Sequence, residues 1–201
     1  MKKLNKVVAG FACLFLSAGV VAQGVTDDEV VFGTSTALSG PAALWGVAAS
    51  QAAQIRFDMA NEKGGVHGRQ IRVVLEDHQY QVPIHVKAMN KLLNLDKVFA
   101  TFNVLGTPMN IATAETQFAQ NVPMLFPMTT AQSVQEPEHD LKLTFGSSYY
   151  RQIRFAVSHF LATGRTSVCV MYQDTDYGAE VLEAVTDEVA DHSGVSLVSS
   201  V

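Results

Sequence analysis

Residues 30–46 read VVFGTSTALSGPAALWG, a stretch that predicts a strand, a tight polar turn and the start of a helix. Val30 to Phe32 favour a strand, Ser39-Gly40-Pro41 interrupts regular structure, and the alanine-rich sequence from Ala42 favours a helix. In a parallel α/β sheet, small polar ligands are held where strands end and helices begin with unpaired N–H groups. We therefore expect a ligand at this turn.

Two side chains beside the turn are candidates for contact with that ligand. Trp45, the only tryptophan of the chain, is either an apolar wall for the ligand or a half-buried packing residue. Ser39 has no base near it in the sequence, so a hydrogen-bonding role is favoured over nucleophilic catalysis.

Residues 1–22 have the pattern of a secretory signal peptide. Three lysines precede an apolar run at 7–21, and small side chains end the run before Gln23, which predicts cleavage after Ala22. Because the run has about 15 residues rather than the roughly 20 that span a bilayer, cleavage is favoured over a permanent anchor. Cleavage would leave Cys169 without a cysteine partner, and export without disulfides fits a bacterial periplasm.

The charge balance argues against nucleic acid as a partner. Loss of the three N-terminal lysines takes Lys+Arg from 14 to 11 against 19 Asp+Glu, so the formal charge falls from −5 to −8. An acidic chain without a basic cluster lacks the electrostatic footprint of a nucleic-acid-binding protein. The composition, 48% hydrophobic and 16% charged, is that of a globular protein.

Strands and helices alternate along the chain, which is typical of a parallel sheet covered on both faces by helices. The sequence therefore predicts an α/β fold. Residues 23–144 are expected to form a first, three-layer unit, and residues 145–201 a second unit that is incomplete. Further strands are expected at 71–75, 98–102, 123–126, 141–145 and 167–172 and from Ser196 onwards, with the one at 141–145 crossing between the units.

Each predicted helix has an apolar face that we expect to be buried. Pro83 and Pro108 mark the starts of two helices, and Gly64-Gly65 marks the end of the first. The residues expected to face inward are Ala48, Ala52, Ile55 and Met59 in the first helix, Val86, Met89 and Leu93 in the second, Ile111, Ala114 and Phe118 in the third, Ile153, Val157 and Phe160 in the fourth, and Val181, Val185 and Val189 in the fifth.

The sequence contains none of the patterns that common catalytic or cofactor sites require. Its six histidines form no close pair on a helical face, and there is no His-Glu-x-x-His and no cysteine pair. Gly-x-x-x-x-Gly-Lys, Gly-x-Gly-x-x-Gly and Gly-x-Ser-x-Gly do not occur either. We therefore expect no catalytic residue, no metal and no cofactor, and an exported enzyme is the less favoured class of protein.

Small hydroxyl side chains and glycine do recur at the ends of predicted strands. Gly106 and Thr107 follow the third strand and Thr129 and Thr130 follow the fourth, as Ser39 follows the first. Hydroxyl and N–H groups hold a carboxylate without strong acid or base, so they suit a ligand that is bound and released unchanged. The alternative is that these residues cap the helices that follow.

Tyrosines stand in two further turns. Tyr177 follows the strand of the second unit, where it either reaches across a cleft or packs at its rim. Asp77 and Tyr80 either order the turn after the second strand or belong to a solvated turn.

Four short motifs together resemble the periplasmic binding proteins of the branched-chain amino-acid (Leu/Ile/Val-binding) family, which are the receptors of ABC importers. These motifs are Leu38-Ser39-Gly40-Pro41 with Trp45-Gly46, NEKGGVHGR at 61–69, Glu76-Asp77, and DTDYG at 174–178. In addition, LGTP at 105–108 with VPMLFP at 122–127 is similar to a branch of the family associated with aromatic and other carboxylates.

The resemblance implies a type I periplasmic binding fold, in which two α/β lobes close on a ligand by hinge bending. Lobe one corresponds to residues 23–144 and a partial lobe two to residues 145–201. Carried over by position, Trp45 lines the ligand side chain, Thr107 and Thr129-Thr130 bind its carboxylate or amine, and Tyr177 closes from lobe two. Gly106-Thr107-Pro108 stands where the family usually has a serine, a departure from sites for standard α-amino acids.

The same resemblance implies an extracytoplasmic receptor for branched-chain or related amino acids or small carboxylates, aromatic ones included. Its partner is expected to be an ABC permease in the inner membrane. Members of the family are much longer than this chain, so we expect a truncation in lobe two. A ligand-sensing domain or a non-functional remnant of such a receptor is the alternative.

Overall fold

The computed structural model describes residues 22–201. The predicted signal peptide and its Cys13 lie outside the described residues, apart from Ala22. The strands are β1 (Glu29–Thr36), β2 (Gln70–Asp77), β3 (Ala100–Phe102), β4 (Met124–Leu125), β5 (Lys142–Leu143), β6 (Ser167–Val170) and β7 (Ser196–Ser200). The helices are α1 (Ala43–Asn61), α2 (Val82–Asn94), α3 (Thr107–Ala119), α4 (Gln132–Gln135), α5 (Tyr149–Leu161) and α6 (Asp176–Ala190).

All of these strands pair in parallel, so the predicted α/β architecture is confirmed. The larger sheet has the strand order β2-β1-β3-β4-β5, and the smaller sheet pairs β6 with β7. The segment predicted at 141–145 is shorter than expected and forms β5, the edge strand of the larger sheet. The order reverses between β1 and β3, and a reversal of this kind opens a crevice beyond the carboxyl ends of the strands.

The larger sheet is covered on both faces. On one face, α2 buries Met89, Leu92 and Leu93 against Val31 and its neighbours, and α3 packs beside α2. On the other face, α1 stacks Phe57 on Phe32 of β1 at 5.8 Å between ring centroids. The smaller sheet has its own core, to which α6 contributes Val185 and Val189. The inward faces predicted for α2 and α6 are therefore confirmed at these buried residues.

The face predicted to be buried in α1 is wrong. Ile55 is 60% exposed and Met59 is 42% exposed, and Ala48 and Ala52 also face solvent. The opposite side of the helix packs on the sheet. Gly46, on that side, lies so close to Ala37 that a Cβ atom at Gly46 would stand 1.9 Å from the carbonyl oxygen of Ala37. Apolar residues occur all around α1, so their spacing does not single out one face.

Two other residues predicted to face inward are exposed, namely Ile111 in α3 and Phe160 in α5. In α3 the buried positions are instead largely polar. The Gln117 amide, for example, donates to the Thr101 hydroxyl at 2.9 Å and to the Val122 carbonyl at 3.1 Å. A polar residue can be buried when its hydrogen bonds are satisfied, and the spacing of apolar residues in the sequence does not reveal such a position. None of the helices within residues 22–201 is long and apolar enough to cross a membrane.

Candidate ligand-binding site

A cavity of about 910 Å³ lies beyond the carboxyl ends of the strands of the larger sheet and extends to the first turn of α6. Most of its wall comes from the segments that follow β1, β2, β3 and β4. The segments that follow β5 and β6, together with α5 and α6, complete it. The predicted site residues on its surface are Trp45, Gly106, Thr107, Thr129, Thr130 and Tyr177. The structure therefore brings together six of the seven residues that the sequence singled out.

Two threonines form the polar floor of the cavity. The hydroxyls of Thr107 and Thr129 are both buried and lie 2.7 Å apart, in hydrogen-bond contact. Thr129 also accepts a hydrogen bond from the backbone N–H of Ala131 at 3.2 Å. Thr107 is the first residue of α3, so the N–H groups of Thr107 and Met109 have no partner within the helix and lie beside this hydroxyl pair, whereas Pro108 has no N–H. A carboxylate or hydroxyl of a ligand finds hydrogen-bond donors here.

Thr130 connects this floor to α5. Its hydroxyl accepts a hydrogen bond from the Gln152 side chain at 3.1 Å, and its carbonyl accepts one from the backbone of Tyr149 at 3.2 Å. Since the hydroxyl proton of Thr130 is not used in either contact, it remains available to an acceptor in the cavity.

Aromatic side chains form the remaining walls. Trp45 projects from the first turn of α1 and is 66% exposed, so its ring is not a buried packing element. Tyr177 stands at the first turn of α6, with its ring edge-on to that of Tyr149 at 4.9 Å. Tyr80 and Phe145 also border the cavity. Among the residues that the structure describes, no acidic or basic side chain lines it.

Ser39 is the one predicted site residue that does not line the cavity. Its hydroxyl donates to Asp77 at 2.6 Å, and the backbone N–H groups of Leu38 and Gln79 donate to the same carboxylate at 2.9 Å. Burial raises the pKa of Asp77, but these hydrogen bonds outweigh it and hold the pKa below its usual value. Asp77 therefore orders its turn, one of the two roles considered from sequence, and it also fixes the turn before α1.

Sequence reasoning missed Tyr80, Tyr149 and Phe145 as cavity residues. Tyr80 enters the cavity because the backbone of Gln79 and Tyr80 is left-handed, with φ values of 55° and 58°. Such a conformation is uncommon for residues other than glycine and has no signature in the side chains concerned. Tyr149 had no signal of its own in the sequence.

The groups that line this cavity are suited to binding a ligand. Hydroxyls, backbone amides and aromatic rings hold a ligand by hydrogen bonds and contact area, and they supply neither a strong acid nor a strong base. Within residues 22–201, no group of three or more His, Cys, Asp or Glu side chains is arranged to hold a metal ion.

A family model described as periplasmic binding protein matches residues 29–201, and the chain belongs to this family of solute-binding proteins. The larger sheet with its flanking helices is a lobe of the type I periplasmic binding fold. No curated protein matches the chain by sequence.

Solved structures share the fold. A substrate-binding periplasmic protein from Ralstonia solanacearum is 25% identical, with a TM-score of 0.79 over 86% of this chain and 48% of that chain. A branched-chain amino acid ABC transporter protein from Thermus thermophilus with bound valine is 18% identical, with a TM-score of 0.76 over 90% of this chain and 46% of that one.

A third solved relative is an ABC transporter solute-binding protein from Rhodopseudomonas palustris BisB5 in complex with 3,4-dihydroxybenzoic acid. It is 18% identical, with a TM-score of 0.75 over 87% of this chain and 47% of that chain. The chain thus spans about half the length of the solved relatives.

Proposed function

We propose that the protein is an extracytoplasmic receptor that captures a small amino acid or carboxylate and delivers it to an ABC permease in the inner membrane. The observation that carries this proposal is the cavity of about 910 Å³, with buried hydroxyls on its floor and aromatic rings on its walls. Its volume falls in the range of roughly 300–1,000 Å³ typical of small-molecule sites. Family membership and the predicted signal peptide at 1–22 support a periplasmic location.

The contacts in the site divide between the two ends of the ligand. We assign the carboxylate to the Thr107–Thr129 hydroxyl pair and to Thr130, because these groups donate hydrogen bonds from a buried floor. We assign the body of the ligand to Trp45 and Tyr177, which face the same space from α1 and α6. Gly106 lets the backbone come close to the ligand.

We infer that the site closes by movement of two units towards each other, because both units supply residues to the cavity. Residues 23–144 supply the floor and Trp45, whereas residues 145–201 supply Tyr177 and Tyr149. We assign these ranges to lobe one and to a part of lobe two. A ligand that contacts both units stabilises the arrangement in which they lie close together, and this differential affinity shifts the population towards the closed form.

Titration of the purified protein with a panel of amino acids and aromatic acids tests the proposal. Trp45 is the only tryptophan and lines the cavity, so bound ligand is expected to change its fluorescence in a saturable way. We expect saturation for one chemical class only. A protein that melts cooperatively but gives neither a fluorescence nor a calorimetric response to any member of the panel would contradict the proposal.

A further inference from the structure

We propose that Tyr80 contacts the ligand and, together with Tyr149 and Tyr177, makes the cavity selective for an aromatic carboxylate, and that His78 positions Tyr80 for this role. This inference rests on the proposed binding function and names the ligand class for the same site. The turn after β2 has an unusual backbone conformation.

Gln79 and Tyr80 are consecutive non-glycine residues with φ values of 55° and 58°. Left-handed backbone at such residues is unfavourable and persists where surrounding contacts over-determine it, most often at functional sites. Here the turn is held on both sides. Asp77 accepts the N–H of Gln79 at 2.9 Å, and the Nδ1 atom of His78 accepts the N–H of Tyr80 at 2.9 Å.

His78 is fully buried and joins this turn to the loop after β3. Its Nε2 atom lies 3.0 Å from the carbonyl oxygen of Leu105. A backbone N–H only donates and a carbonyl only accepts, so Nδ1 is the acceptor and Nε2 carries the proton. One neutral imidazole in a single tautomer therefore fixes the distance between Tyr80 and the loop that leads into Thr107.

The ring of Tyr80 lies against Gly106. A Cβ atom at Gly106 would stand 3.2 Å from Cε2 of Tyr80 and 2.9 Å from the sulfur of Met109, and the φ of Gly106 is 105°. Glycine is thus required here for both the conformation and the space. As a result, the Tyr80 ring borders the cavity one residue away from the hydroxyl floor that begins at Thr107.

Tyr149 and Tyr177 line the same cavity as Tyr80. The rings of Tyr149 and Tyr177 form an edge-to-face pair with centroids 4.9 Å apart. Burial, followed by the proximity of Tyr149 and Tyr177, raises the pKa of the Tyr80 phenol, as expected for three hydroxyls that share one cleft. Ring faces and edges in this arrangement suit a planar aromatic ligand, whose carboxylate reaches the threonine floor.

Calorimetric titrations with three probes of similar size test this inference: benzoate, the saturated analogue cyclohexanecarboxylate, and L-valine. We expect the protein to bind benzoate more tightly than the other two probes. Tyr80→Ala is expected to weaken benzoate binding by about tenfold or more and to abolish the preference over cyclohexanecarboxylate. Tyr80→Phe, which keeps the ring, is expected to lose less affinity than Tyr80→Ala.

The matched control is Tyr172→Ala. Tyr172 is half-buried like Tyr80 but packs on the core of the smaller unit and does not line the cavity. It is therefore expected to lower stability without changing the preference for benzoate. Benzoate binding that is equally tight in Tyr80→Ala would overturn the inference and leave the proposed function intact. Binding of L-valine in place of benzoate would do the same. No binding of any of the three probes would overturn the inference, and only the absence of a response to the whole panel of amino acids and aromatic acids would overturn the proposed function.

The positioning role of His78 is tested by two substitutions. His78→Asn keeps an acceptor near the position of Nδ1, whereas His78→Leu has a similar size and no acceptor. The readout is the ratio of benzoate to cyclohexanecarboxylate affinity, which a general loss of stability does not change. We expect the ratio to be retained in His78→Asn and lost in His78→Leu. An unchanged ratio in His78→Leu would remove His78 from this role.

Discussion

Asp77 does not line the cavity, but it joins two of the segments that do. Its carboxylate accepts hydrogen bonds from the segments that follow β1 and β2, through Ser39, Leu38 and Gln79. The first of these segments leads into α1 and Trp45, and the second leads into Tyr80. One carboxylate therefore orders the segments that lead into two walls of the cavity.

Trp45→Ala is expected to weaken ligand binding far more than it lowers stability. The side chain is 66% exposed, so we expect the free energy of unfolding to change by less than about 0.5 kcal/mol. Because the ring borders the cavity, we expect the dissociation constant to rise about tenfold or more, as measured by calorimetry.

The control for this prediction is Leu44→Ala. Leu44 precedes Trp45 in the same helical turn, is 79% exposed and does not line the cavity. It should change neither affinity nor stability appreciably. If Trp45→Ala reduced affinity and stability in proportion, Trp45 would be a packing residue, the alternative considered from sequence.

At the scale of the elements, a buried pair of histidines joins β1, α2 and α3. His85 is on α2, and its ring nitrogens lie 3.0 Å from the hydroxyls of Ser35 in β1 and Thr113 in α3. The ring of His78 is edge-on to it, with the centroids 5.5 Å apart. Burial lowers the pKa of both histidines, and the neighbouring His78 contributes to bringing the pKa of His85 to about 3.

This pair predicts that the folded protein loses stability in weak acid. Between the unfolded pKa of 6.5 and the folded value of about 3, the unfolded chain binds more protons at His85 than the folded one. The stabilisation is therefore present above 6.5 and is lost as the pH falls from there towards about 3. Each histidine contributes a slope of up to about 1.4 kcal/mol per pH unit.

Urea unfolding at about pH 7 and at about pH 5 measures this slope. His85→Gln keeps hydrogen-bonding groups and removes the titrating ring, so its stability is expected to fall less over the same interval. The control is His67→Gln, since His67 is exposed and lies in the loop between α1 and β2. Equal slopes for His85→Gln and the unaltered protein would contradict the role assigned to His85.

At the scale of the whole molecule, Glu180 connects the two units. It lies on α6 and is only 8% exposed. Its carboxylate accepts the backbone N–H of Gln132 at 2.9 Å and that of Tyr150 at 2.8 Å. These are N–H groups in the first turns of α4 and α5, where negative charge is favourable. One side chain of α6 is thus hydrogen-bonded to the start of α4 in residues 23–144 and to the start of α5 in residues 145–201.

Glu180→Gln is therefore expected to destabilise the protein. The amide nitrogen cannot accept a hydrogen bond, so one partly buried N–H loses its partner, at a cost of about 1 kcal/mol in the free energy of unfolding. Thermal or urea unfolding measures the loss. Glu183→Gln, an exposed substitution on the same helix, is the control and is expected to be nearly neutral. Similar effects of both substitutions would show that Glu180 contributes only general charge.

The order of the elements could be read from the sequence because its signals are local. Strand-forming runs, Gly and Pro interruptions and helical spacing act over a few residues, and the ends of the predicted strands differ from those observed by at most four residues. The inward faces of α2 and α6 were predictable for the same reason. The face of α1 was not, because its orientation depends on Phe57 meeting Phe32 and Phe102, which lie in strands far apart in the sequence.

The sequence by itself determined the α/β class, the strand ends that carry Gly106, Thr107, Thr129 and Thr130, and the resemblance to periplasmic binding proteins. Only the tertiary structure decided that Ser39 turns to Asp77 and that Tyr80 enters the cavity. The physical reason is the range of the interactions. Backbone propensities act between neighbours, whereas Ser39 lies 38 residues from Asp77 in the sequence. The turn at Tyr80 is held through His78 against Leu105 and packs on Gly106, and only folding brings these segments together.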